Sequence, residues 1–127
     1  MIEKKYKKMS ENTRGAFIVF EGLDRSGKTT QINNLIVYLN EKKPQLKSGK
    51  NKIFELSFPN EETNTGKLCR SYLQNKMEMD DHAIHLLFSA NRWEKMNWIK
   101  NELMKGNYII CSRYAYSGVA LILLIKV

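Results

Sequence analysis

Ala16-Phe17-Ile18-Val19-Phe20 is an unbroken run of apolar residues, mostly β-branched or aromatic, bounded by Gly15 and Gly22. That is the pattern of a strand buried on both faces. Past the glycines the period changes. Ile32, Leu35, Ile36 and Leu39 recur at intervals of three and four and draw one apolar stripe along a helix from about Lys28 toward Lys43. Pro44 and the Lys-, Gly- and Asn-rich residues up to Asn51 read as a loop. Ile53 to Phe58 is a second strand, stopped by Pro59, since proline cannot donate to a sheet ladder. Strand, crossover helix and strand make a βαβ unit, whose strands run parallel.

Gly66 to Gln74 is a short helix by the same reading. Asp80 and Asp81 stand where carboxylates favour a helix N-terminus, ahead of Ile84, Leu87, Phe88 and Asn91 at helical spacing. Trp98, Ile99 and Leu103 continue an apolar face until Gly106, and Tyr108-Ile109-Ile110-Cys111 is a third strand, buried on both faces like the first two. The order β-α-β-α-α-β predicts an α/β fold, a parallel sheet flanked by helices. The apolar run Val119 to Val127, broken by Lys126, is far short of the ~20 residues that span a bilayer. No membrane association is expected.

Composition narrows the classes. A chain of 127 residues with 43% apolar content can bury one modest core, so a single domain is expected. The net charge of +8 invites a nucleic-acid reading. Residues 1–14 carry +3 of it and residues 42–52 the remaining +5. The basicity thus belongs to an N-terminal tail and a connecting loop, the rest is neutral, and nucleic acid is not an expected partner. The organisation expected is a basic tail without fixed structure over residues 1–14 and a folded unit over 15–127. Cys69 and Cys111 lack CxxC spacing and suit a reducing compartment better than a disulfide framework. The polar N-terminus has no apolar core of a secretory signal. A cytoplasmic setting is the expectation, with a nuclear or mitochondrial pool left open.

Gly22-Leu23-Asp24-Arg25-Ser26-Gly27-Lys28-Thr29 matches G-x-x-x-x-G-K-[ST] between a predicted strand and a predicted helix, the setting a phosphate-binding P-loop requires. The glycines permit backbone angles that turn successive N–H groups toward one anion, and the helix that follows adds its positive end. Lys28 is expected to reach the β- and γ-phosphates of a nucleoside triphosphate, and the Thr29 hydroxyl to ligate Mg²⁺. Read alone, Asp24 and Arg25 suit two roles. Arg25 could offset charge on a transferred phosphoryl group while Asp24 accepts from a sugar hydroxyl, or both could be solvated loop residues. Phe88 shares a stripe with Ile84 and Leu87 and reads first as core, and Arg92 as a solvated helix charge. His82 and His85 have no third partner at metal-ligand spacing.

Four segments in order, FIVFEGLDRSGKTTQ (residues 17–31), LSFPNEET (56–63), HLLFSANRWE (85–94) and SRYAYSGVA (112–120), resemble thymidylate kinase of the eukaryotic type. The resemblance implies a P-loop nucleoside monophosphate kinase fold and transfer of the γ-phosphoryl of MgATP to dTMP. It places ATP on Gly22 to Thr29 and Thr30, and makes Lys28, Arg25 and Arg113 the catalytic cations. It implies dTMP on Asp24, Phe58, Phe88, Arg92, Arg113, Ser117 and Gly118, with Asp24 on the sugar, Phe88 stacked on thymine and Arg92 on the base edge. A homodimer is also compatible with it.

The chain departs from the family pattern at Glu61, where an arginine on the acceptor phosphate is expected; at Ser112, where a carboxylate near the metal is expected; and at Leu121, where an aromatic residue is expected. The ending resembles no family segment and reads as C-terminally truncated, without the arginine-bearing lid. These departures predict low turnover, and uncovered apolar strand surface predicts poor solubility. A non-catalytic P-loop nucleotide-binding protein or fragment is the alternative. A GTPase reading lacks an N-K-x-D segment.

Overall fold

A computed structural model describes residues 14–125, with side chains through Ala120. The tail expected over residues 1–14 lies outside it except for Arg14, as do the last residues of the apolar ending and the side chain of Leu121. The elements are β1 (Phe17–Phe20), α1 (Lys28–Lys42), α2 (Pro44–Lys47), β2 (Ile53–Ser57), α3 (Asn64–Leu73), α4 (Asp81–Met104), β3 (Tyr108–Ser112) and α5 (Ala115–Ile125).

The sheet has the order β1-β3-β2, all parallel. β1 and β2 are therefore parallel, as the crossover predicts, but they are not neighbours. β3 runs between them, pairing Ile109 with Phe17 and with Phe54. Alternation then sorts the side chains into two layers. Ile109 and Cys111 join Leu56, Phe58 and α4's Ile99 and Leu103 on one face, where Phe17 and Val19 also pack. Ile110 joins α1's Ile32 and Leu39 on the other, with Ile18 and Phe20.

Burial on both faces holds fully only for β3, whose Ile109, Ile110 and Cys111 are at most 1% exposed. β1 does pack on both faces, yet all four of its residues are only half-buried. The physical reason is position: among the described residues β1 is an outer strand, and a side chain there lacks neighbours on one flank. A second correction concerns the stretch after Pro44. It begins with one turn of helix, α2, which has proline in its first turn and buries Leu46 in the α1 layer. Proline suits a first helical turn because its missing N–H would have no intrahelical partner.

α4 starts at Asp80, whose carboxylate accepts from the backbone N–H of His82 at 2.9 Å and of Ala83 at 3.3 Å. Those bonds hold its pKa below the ordinary value. α3 lies against α4 through Cys69, Ile84 and Phe88. The apolar ending contributes to α5, an element its unbroken hydrophobicity gives no period to reveal. Among the described residues no helix is long and apolar enough to cross a membrane.

Candidate active site

The P-loop leaves the C-terminal end of β1 and turns into α1 at Gly27, the helix cap, with φ of 83°. Arg25 also has a left-handed φ, 62°, a conformation that costs a side-chain-bearing residue ~1–2 kcal/mol. Glycine at 27 avoids that cost; arginine at 25 does not, a pattern of strain associated with functional loops. The Lys28 ammonium donates to the carbonyls of Gly22 at 3.0 Å and Leu23 at 2.5 Å. Residues 24–29 together with Ser112 and Arg113 line a cavity of about 420 Å³. Gly22 and Leu23 instead line an adjoining depression with Glu21, Tyr116 and Ala120. Thr30 is exposed on the first turn of α1 and lines neither.

β3 delivers Arg113 to the same end of the sheet. Its N–H donates to Phe20 O at 2.9 Å and its φ is 64°. The guanidinium donates from Nη2 to Asp24 Oδ1 at 2.5 Å and from Nη1 to Ser117 Oγ at 3.4 Å. Below this pair sits Glu21, the last residue before the glycine loop. Its carboxylate accepts from the Tyr114 N–H at 2.9 Å, the Ser117 N–H at 3.4 Å and, through a short bond, the Ser117 hydroxyl. Burial pushes the Glu21 pKa up, but the hydrogen bonds from Ser117 and Tyr114 outweigh it and hold the carboxyl below its usual value. Glu21 thus ties the start of α5 to the root of the P-loop.

Beside the ion pair opens a second cavity of about 350 Å³ between the Phe58-Pro59 turn, α3, α4 and α5. Asp24, Phe58, Phe88, Arg92, Arg113, Ser117 and Gly118 all line it. Phe88 belongs to the α3–α4 core as well, at 9% exposure, so its core reading and its pocket reading describe two sides of one ring. Arg92 lies 5.9 Å from the centre of the Tyr114 ring, a cation–π distance. It also closes on Gly118, where an added Cβ would sit 3.1 Å from Arg92 Nη1.

The thymidylate kinase family model matches residues 20–124. The chain belongs to the thymidylate kinase family. It is 51% identical over 110 residues to thymidylate kinase of Plasmodium falciparum, covering 87% of this chain and 49% of that protein. It is 47% identical over 107 residues to the human thymidylate kinase, covering 84% and 47%. Among solved structures, thymidylate kinase from Candida albicans superposes with a TM-score of 0.68 at 42% identity, covering 84% of this chain and 43% of that one. The one from Ehrlichia chaffeensis gives 0.66 at 32% identity, covering 86% and 58%. The chain spans about half the length of the curated relatives it matches.

Within this thymidylate kinase frame the departures have definite places. Glu61 does not stand as a lone anion, because its Oε1 lies 3.2 Å from Arg70 Nε. Ser112 ends β3 and faces the P-loop cavity together with Thr29. Among the described residues no group of three or more His, Cys, Asp or Glu side chains could hold a metal ion.

Several residues that build or support the site have no site role in the sequence reading. Arg70, Leu73, Pro59 and Tyr114 also line the second cavity. Asn91, fully buried, accepts from the Asn60 N–H at 2.7 Å and donates to Thr63 Oγ1 at 2.8 Å and Thr65 Oγ1 at 3.0 Å. It thereby fixes the segment after Pro59. Gly66 completes that join, since a Cβ there would fall 1.7 Å from Asn60 O. The signal available in sequence was an amide on an otherwise apolar stripe, which demands buried partners. Glu21 had a similar signal, a carboxylate directly following a buried strand.

Proposed function

We propose that the protein transfers the γ-phosphoryl group of ATP to dTMP, giving ADP and dTDP. The observation that supports this most directly is the sharing of Asp24 and Arg113 between the P-loop cavity and the second cavity. A donor in the first and an acceptor in the second meet at the Asp24–Arg113 pair, the arrangement an in-line transfer needs.

In this reading Lys28 trades the carbonyls of Gly22 and Leu23 for β- and γ-phosphate oxygens, which offer full negative charge. A phosphate oxygen of dTMP attacks the γ-phosphorus, the bond to the β–γ bridging oxygen breaks, and ADP leaves with that electron pair. Arg25 and Arg113 offset the charge that spreads over the transferred group. Phe88 stacks on thymine, Arg92 hydrogen-bonds its edge, and Phe58, Ser117 and Gly118 close the pocket.

Mg²⁺ binds such sites chiefly through nucleotide phosphates and water, with one or two protein oxygens. The hydroxyls of Thr29 and Ser112, which face one cavity, suit that demand and would hold the ion. When bound, it would supply positive charge to offset that of the phosphates. A hydroxyl at position 112 supplies no charge to the ion, so turnover below that of a carboxylate-bearing relative is expected. The test is ADP formation from ATP with and without dTMP. Dependence on dTMP, lost in Lys28→Ala, is the expected result. ATP binding with no dTMP-dependent ADP formation would sink the catalytic reading.

A further inference from the structure

The pocket wall formed by α3 carries a cation that the mechanism above leaves without a task. Arg70 precedes Leu73 by one helical turn, and both side chains line the pocket. The other two arginines there have contacts within the pocket lining itself, Arg113 with Asp24 at 2.5 Å and Arg92 over the Tyr114 ring at 5.9 Å. Arg70 meets only Glu61 as a charged partner among the described residues, and the two side chains are 50% and 53% exposed. Such a pair holds weakly, because water screens both charges and ordering two long side chains costs entropy.

The charge balance of the pocket adds to this. The lining carries three arginines against one aspartate, an excess of two positive charges once Glu61, which does not line the pocket, is set aside, the complement of a phosphate dianion. A phosphate offers a guanidinium the same planar pairing as a carboxylate, at higher charge. Resting on the reading that this pocket takes a nucleoside monophosphate, we propose that Arg70 is a phosphate-binding residue and Glu61 its displaceable counter-ion. The guanidinium exchanges Glu61 for the phosphate as the nucleotide enters. Until then Glu61 balances the charge of Arg70.

Calorimetry of the full chain with dTMP and with thymidine separates the phosphate from the rest of the ligand. Arg70→Gln is expected to weaken dTMP about tenfold, at the low end for a charge-assisted contact because the side chain is half exposed. Thymidine affinity should not change. Arg70→Lys should fall between the two proteins. Glu61→Gln removes the competitor and should tighten dTMP about threefold, a modest gain in keeping with a weak surface pair. Unchanged dTMP affinity in Arg70→Gln, or equal losses for dTMP and thymidine, overturns the assignment of Arg70 alone. Weaker dTMP binding by Glu61→Gln also overturns it, since the pair would then be building the wall. A wild-type chain that binds ATP but no dTMP overturns both this inference and the function on which it rests.

Discussion

The P-loop and the neighbouring pocket meet at one ion pair but are assembled differently. Residues 22–29 are contiguous, and their donors are backbone N–H groups and one lysine held by local turns. The pocket draws side chains from the P-loop, the turn at Phe58, α3, α4, the residues after β3, and α5. Its shape therefore depends on α3 staying docked on α4. The first site needs a strand end and a helix start; the second needs most of the tertiary structure. Damage to packing should accordingly strike the pocket first and leave the loop working.

The severest test is Phe88→Ala. Phe88 is part of the small α3–α4 core, and truncating a buried phenylalanine typically costs 3–5 kcal/mol. Urea unfolding should show a loss of about 3 kcal/mol, with dTMP binding abolished and ATP binding retained by the folded fraction. Equal losses of both ligands would break the comparison. The converse change, Lys28→Ala, should weaken ATP by about 1.5–3 kcal/mol, the value of a hydrogen bond to a charged group, while calorimetry finds dTMP binding intact.

Glu21 sits where the two regions join, and its effect should be smaller. Its carboxyl is held below the ordinary 4.5 in the folded protein. The stability it contributes is therefore present above that value and is lost as pH falls through the lower, folded one. Glu21→Gln should cost about 1 kcal/mol at pH 7. It should also flatten the acid limb of a plot of melting temperature against pH. An unchanged limb would remove Glu21 from the joint.

The smallest effect is expected from thiol reagents. Both cysteines are free and buried, and burial pushes the Cys69 thiol up to about 11 and the Cys111 thiol up to about 12. Neither should label at pH 8 in the native state. In mild denaturant Cys69, in the α3–α4 cluster, should label before Cys111, at the centre of the sheet. The reverse order would mean that the loop's scaffold opens first.

The same contrast explains what was legible in the sequence. The P-loop could be read because its eight residues are adjacent and each type has a local reason. The stripes of α1 and α4 were visible because one face of each meets the sheet. Strand order was not, since nothing in Phe17–Phe20 or Ile53–Ser57 says that a later strand will separate them. Resemblance brought Phe58, Phe88, Arg92, Ser117 and Gly118 into view, and the fold places them around one cavity. Asn91, Arg70 and Glu21 stayed hidden because their partners, Asn60, Glu61 and Ser117, become neighbours only through tertiary packing. α5 was hidden for another reason: a run apolar on every side has no periodicity.

The position of β3 has a consequence for synthesis on the ribosome. β1 and β2 are both complete by residue 57, yet among the described residues they do not pair with each other, and each pairs with a strand ending at Ser112. Translation proceeds at roughly 5–20 residues per second, so the two early strands wait several seconds with unpaired edges. During that interval the nascent chain presents Phe17–Phe20 and Ile53–Ser57 as adhesive ribbons, the form of exposure that chaperones recognise. Pairing of these two strands is thus gated by the arrival of β3.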